Sequence, residues 1–169
     1  AHDRARSEGT AQARRRRQET PAKERVTRRP PPSSPQALYR MQVTRRRDTA
    51  AELAIRRALH AGGLRYRVDR EILVGTRWRA DIAFITARVA VFVDGCFWHS
   101  CPRHKTSPKA NAAWWAAKLA QNRRRDTHTN RRLRRAGWHV ERVWEHEVPA
   151  AVAARIARIV RERSRRRHP

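Results

Sequence analysis

Apolar positions recur at helical spacing from Thr49 to about His60, with Glu52, Ile55 and Leu59 on one face, and the run stops at Gly62-Gly63. "LRYRV" (Leu64–Val68) reads as a short strand. "ADIAFITARVAVFV" (Ala80–Val93) reads as two strands broken near Thr86-Ala87, the second apolar enough to be buried. A long helical stripe runs from about Asn111 to Arg135 and ends at Gly137. "WHVERVW" (Trp138–Trp144) predicts another strand. "PAAVAARIARIV" opens with a proline suited to a first helical turn and sets Val152, Ile156, Ile159 and Val160 on one face. The order αβββαβα predicts an α/β protein, a mixed sheet flanked by helices.

Both ends lack such patterning. Residues 1–36, with "RRRR" and "RRPPPSSP", hold too few apolar side chains to offset chain entropy and read as a disordered basic tail. Residues 163–169 read as a frayed basic end, leaving a folded domain over 37–162. The 169 residues carry a formal charge of +26, which points to a polyanion, nucleic acid first and an anionic membrane surface second. No apolar run approaches a membrane span and no signal-peptide pattern opens the chain, so the expectation is a soluble, intracellular protein.

The chain's two cysteines fall in "VFVDGCFWHSCPRH" (Val91–His104). With four residues between them, they make a poor disulfide framework. With His104 they offer three soft donors to zinc, and His146, in "VWEHE", is the best fourth. The alternative is two buried cysteines with surface histidines. Phe97 and Trp98 either pack beneath the loop or stand outward as wedges of the kind that unstack a duplex. His99, unused by the metal set, is a structural histidine or a general base.

Three carboxylates are in reach of the strand ends. Asp81 sits in an apolar strand and needs a cation, either Arg77 or Arg79 or a metal. Glu52 completes a "TAAE" capping box, yet shares the apolar face of its helix. Asp94 follows the second strand, and oxygen donors of this kind suit magnesium. On the long helix Trp115, Leu119, Asn122, Asp126 and Leu133 share a stripe with Lys118 at its edge, and the polar members call for partners. Trp114 and Trp115 cannot both face the core, and Arg123, Arg124, Arg131 and Arg134, spread around the helix, either form an ordinary solvated face or track phosphates.

With these residues in view, "RRRDTAAELAIRRALHAGGLRYRV", "RWRADIAF", "VAVFVDGCFWHSCPRH", "NAAWWAAKLAQNRRRD" and "GWHVERVWEHE" resemble the very-short-patch-repair (Vsr) DNA mismatch endonucleases. The resemblance implies a restriction-endonuclease-like core with a structural zinc, and magnesium-dependent nicking of one strand beside a thymine–guanine mismatch. It assigns Asp81 to magnesium, Glu52 to the metal through water, and His99 as general base. Cys96, Cys101, His104 and His146 fall at or near zinc positions. Phe97, Trp98 and Trp115 match intercalating aromatics, Met41 the N-terminal residues entering the other groove, and Lys118 and Asn122 contacts to the mispaired bases. It also implies mismatched double-stranded DNA as partner, mismatch-repair proteins beside it, a monomer, and a place on the nucleoid in bacterial cytoplasm.

Three departures bear on the site. The best-known family member has a histidine where this chain has Asp94, which leaves Asp94 to bind metal or to shift the pH dependence. Arg103 occupies the slot of the third zinc ligand, so His104 is chosen by chemistry, and His146 replaces a cysteine. Cys96 stands two residues after Asp94, where the wider nuclease superfamily has a lysine. Two rival readings remain: an endonuclease of this fold cutting matched DNA at a fixed sequence, and a non-catalytic zinc-braced DNA-binding module.

Overall fold

A computed structural model of the chain describes residues 29–43, 47–76, 78–104 and 106–167. Helix α1 (Pro35–Val43) precedes α2 (Ala50–Ala61), β1 (Arg67–Glu71), β2 (Arg79–Phe84), β3 (Val89–Asp94), α3 (Ala112–Arg135), β4 (His139–Trp144) and α4 (Pro149–Arg167). The strands form one sheet in the order β1-β2-β3-β4, with β1, β2 and β3 antiparallel and β3 parallel to β4 across the α3 crossover. The protein is mixed α/β, as its pattern predicts.

Alternation along the strands sorts the core into two layers. Ile82, Phe84, Val89, Val91 and Val143 meet Ile55 and Leu59 of α2 and Val152 and Ile156 of α4. Ala80, Ala83, Ala90 and Val140 meet Leu133 of α3. Alanines on this second face let α3 lie close to the sheet. Leu59, Ile82, Leu133 and Ile156 are completely buried, and each contributes about 1.5–3 kcal/mol.

Local chemistry sets the element ends, and in three places moves them from where the pattern predicts. Residues 1–28 of the expected tail lie outside the described residues, but α1 begins within that expected tail. Ser34 caps it by accepting the Ala37 N–H at 3.1 Å, with Pro35 as the first helical residue. Strand β1 begins three residues later than "LRYRV" suggests. Leu64 donates its N–H to Leu59 O (3.1 Å) to finish α2, and the Tyr66 hydroxyl reaches Arg56 O (2.8 Å). Helix α4 runs on to Arg167 rather than fraying at residue 163. Arg163 docks its far turn, donating from Nε to Ala87 O (3.0 Å) and from Nη2 to Gly137 O (2.7 Å).

Candidate active site and metal centre

The backbone ladder between β2 and β3 ends at Ile82↔Val91. Past that point the Asp81 carboxylate takes the place of a backbone acceptor: its Oδ2 accepts the Val93 N–H at 2.7 Å. Asp81 makes no ion pair among the described residues. Arg79 pairs with Asp69 instead (2.7 Å), and Arg77 lies outside the described residues. Desolvation pushes the Asp81 carboxyl up to about 6, the Glu52 and Asp94 charges adding to it and the Val93 N–H and Arg56 opposing it. A neutral-pH carboxylate left so poorly compensated is a ready ligand for a divalent cation.

Its two acidic neighbours are already engaged. Glu52, buried at the first turn of α2, accepts from Asp48 N–H (3.0 Å), Thr49 Oγ1 (3.2 Å) and Arg56 Nη2 (2.9 Å). The capping box therefore forms, though Glu52 reaches back to Asp48 rather than to Thr49 N–H. Asp94, buried at the end of β3, receives Arg142 in a fork, Nε on Oδ2 at 2.6 Å and Nη2 on Oδ1 at 2.5 Å. Arginines other than the two weighed for Asp81 thus pair with its neighbours.

The loop after β3 is fastened to α3 by three bonds from consecutive residues. Asn122 Nδ2 donates to Trp98 O (3.0 Å), His99 Nδ1 lies 2.7 Å from Asp126 Oδ2, and Arg123 Nη1 donates to Ser100 Oγ (2.8 Å). Asn122 and Asp126, the polar members of the α3 stripe, thereby find their partners. With Nδ1 committed to a carboxylate, His99 keeps Nε2 without a partner among the described residues. Although desolvation works against the charge, the His99 hydrogen bond and the Arg142 guanidinium hold the Asp126 carboxyl below the usual range. Asp126 and Arg142 are absent from the set of catalytic candidates drawn from sequence. Asp126 left one signal, its place on an apolar stripe, and Arg142 left none.

Phe97 and Trp98 form one aromatic cluster with Trp115, ring centroids 5.1–5.8 Å apart, and Trp114 joins at 4.8 Å from Trp115. Trp98 is 37% exposed and the other three are half-buried, so the cluster is a surface ridge rather than core. Lys118, one turn along α3, is half-buried and donates to Gln121 Oε1 (3.3 Å). Met41 falls on α1, its side chain lying outside what is described.

On the other side of the loop Cys96, Cys101, His104 and His146 bring one donor atom each within 4.8 Å of one another, a group that could hold a metal ion. His146 arrives from the end of β4, and Arg103, the competing residue at the third position, is exposed. Desolvation, then the neighbouring Cys101 and Glu145, push the Cys96 thiol up to about 12. Without a cation beside it the Cys96 thiol stays protonated, and a bound ion reverses that.

The family profile described as "DNA mismatch endonuclease Vsr" matches residues 35–105. The chain is 48% identical over 117 residues to the type II nicking enzyme V.NaeI of Lentzea aerocolonigenes, covering 68% of this chain and 70% of that protein. It is 39% identical over 126 residues to the type II nicking enzyme V.XorIIP of Xanthomonas oryzae, covering 72% and 90%. It is 36% identical over 107 residues to the DNA mismatch endonuclease Vsr of Escherichia coli K12, covering 62% and 66%. The chain belongs to the Vsr family of DNA endonucleases.

That membership, which takes in nicking enzymes, makes DNA the substrate and accounts for the excess of arginine. The Vsr profile spans Glu52, Asp81, Asp94, His99 and three of the four Cys/His donors. No helix among the described residues is long and apolar enough to cross a membrane.

Proposed function

We propose that this Vsr-family endonuclease nicks one strand of duplex DNA beside a thymine–guanine mismatch, on a restriction-endonuclease-like core that uses magnesium for chemistry and zinc for structure. One observation carries the reading: a single loop bears a histidine bonded to an aspartate and, one residue earlier, an exposed tryptophan in an aromatic ridge. Chemistry and duplex distortion are thus coupled through two or three residues of backbone.

Five of the six edges of the Cys/His corner are compatible in length with zinc. A tetrahedron with Zn–S near 2.3 Å and Zn–N near 2.05 Å has S–N edges of about 3.6 Å and an N–N edge of about 3.3 Å. The S–N separations here are 3.1, 3.7, 3.9 and 3.9 Å, and the N–N separation is 3.2 Å. Four protein donors leave no open position, so this corner braces the loop and does no chemistry.

Asp81 would hold magnesium, with Glu52 supporting it through water. Bound there, magnesium supplies charge stabilisation to the scissile phosphate and the leaving oxygen. His99 takes a proton from the attacking water at Nε2, its ring oriented by Asp126. Phe97, Trp98 and Trp115 wedge into the duplex, where a mismatched step costs least to unstack. Lys118 meets the mispaired bases, Asn122 holds the wedge loop to α3 as well as reading them, and Met41 enters from the other groove. Most of the affinity comes from arginines on phosphates and falls steeply with salt.

A second reading is favoured by the names of two relatives, type II nicking enzymes, which suit nicking of matched DNA at a fixed sequence. The test uses two end-labelled duplexes, identical but for one thymine–guanine pair, in several flanking contexts with magnesium. Nicking of the mismatched duplex alone is expected. Equal nicking of both would establish the second reading.

A further inference from the structure

We propose that Arg142 is the positioning residue of the catalytic histidine, and that Asp94 serves to hold Arg142 rather than to bind metal. The inference rests on the nuclease reading above. Arg142 lies on β4, yet its guanidinium reaches residues of three other segments. Its fork occupies both Asp94 oxygens at the end of β3. Nη1 donates to Asn130 Oδ1 on α3 at 3.3 Å. Nη2 stands 3.4 Å from Asp126 Oδ1 and 3.4 Å from His99 Nδ1. The Phe92 ring, 5.1 Å from Cζ, packs against the guanidinium.

The consequence is geometric. Asp126 gives Oδ2 to His99 while Arg142 attracts Oδ1, so the carboxylate plane is fixed from both sides. The imidazole it orients is fixed in turn, as a base held by a third group. Arg125 also approaches Asp126 Oδ1, at 3.7 Å, but is largely exposed and a weak anchor. Arg142 is only 20% exposed, and a planar fork bonded to Asp94 cannot swing away from its post. The Arg142 fork already neutralises Asp94, which leaves Asp81, without an ion pair among the described residues, as the carboxylate best placed for a metal in this corner.

The decisive variant is the double Asp94→Asn, Arg142→Gln. It keeps a hydrogen-bonded amide pair in the protein interior while removing the charge and the reach to Asp126. Arg142→Lys, which keeps the charge and loses the fork, accompanies it. Three readouts on the zinc-loaded full chain separate the roles: single-turnover nicking rate, mismatch affinity with calcium in place of magnesium, and the downfield proton signal of the His99–Asp126 hydrogen bond.

Both variants are expected to nick on the order of 10²-fold more slowly with affinity changed less than about threefold, and to shift or lose the downfield signal. Wild-type nicking by the double variant, or an unshifted signal, would overturn the inference. Failure of the wild-type chain to nick any duplex would defeat the nuclease reading instead. The proton signal would then still decide whether Arg142 positions His99.

Discussion

In the Cys/His corner four donors face one another with no positive side chain of the described residues between them, whereas in the acidic corner a guanidinium stands against each of two of the three carboxylates. Cys96, Cys101, His104 and His146 converge from the β3 loop and the end of β4. Glu52 leans on Arg56 and Asp94 on Arg142, and Asp81 alone lacks an ion pair among the described residues. The two corners therefore stand differently toward a metal. The first gathers four soft donors, two of them buried thiols, in a group that could hold a metal ion, and on the proposed reading that metal would belong to the fold. In the second, two of the three acids already have an arginine partner, so on the proposed reading the fold would not depend on a metal there.

The largest effect should come from the single unpaired acid. Asp81→Ala is expected to lower nicking by on the order of 10³-fold, with mismatch affinity kept within a few fold in a filter-binding assay. A variant that nicks at the wild-type rate would move the chemistry away from this corner. Chelation sharpens the contrast. Stripping the Cys/His metal, or Cys101→Ser at a fully buried position, should lower Tm by about 10 °C or more. Withholding magnesium should lower Tm by clearly less than that, because only the charge of Asp81 is left uncompensated there. The reverse pattern in a thermal melt would break the comparison.

The two corners were also unequally legible in the sequence. Three of the four soft donors fall within nine residues and announce themselves by residue type, and the fourth follows from its place after a strand. The α/β order and the ends of β2, β3 and α3 follow from periodicity and Gly137. The engaged state of the acids does not. Arg142 looks like any arginine in a chain so rich in them, and its position in β4 is one of simple alternation. Only the parallel register Asp94↔Trp144 puts it beside Asp94. Arg56 is hidden likewise, four residues after Glu52 on a helix where such a pair is ordinarily a surface contact. Helix α1 was missed because prolines and serines marking a tail also mark a cap. Non-local pairing and reused chemistry are what a one-dimensional pattern fails to carry.

Asp81 tests the electrostatics of the acidic corner without any catalysis. Its folded value of about 6 lies above the ordinary 3.8, so the folded state holds the proton more tightly than the unfolded chain. Stability from this group is then full below the unfolded value and lost as pH rises through about 6. In magnesium-free buffer Asp81→Asn should be more stable than wild type by about 3 kcal/mol at pH 7.5, falling to about half of that by pH 5. Asparagine keeps an oxygen for the Val93 N–H, so the difference isolates charge. Urea midpoints for both proteins at the two pH values check it, and an advantage that did not shrink on acidification would point to packing instead.

The smallest effect is the most pointed test of the Cys/His corner. If its metal only braces the loop, the identity of each donor matters less than the presence of four. His146→Cys exchanges one soft donor for another, and a three-thiolate, one-imidazole set is an ordinary structural site. The swap gives up the stacking of His146 on Trp144, whose rings lie 15° from parallel at 6.3 Å, a contact worth a fraction of a kcal/mol at this edge. Bound zinc, measured by elemental analysis, should stay at one per chain, and nicking should remain within about threefold of wild type, whereas His146→Ala should lose both. An equally conservative swap in the acidic corner, Asp81→Glu, moves the ligand oxygen by a methylene and should cost on the order of 10²-fold. If instead His146→Cys bound zinc fully and still lost nicking, the Cys/His corner would share in the chemistry, and the division of labour between the two corners would have to be redrawn.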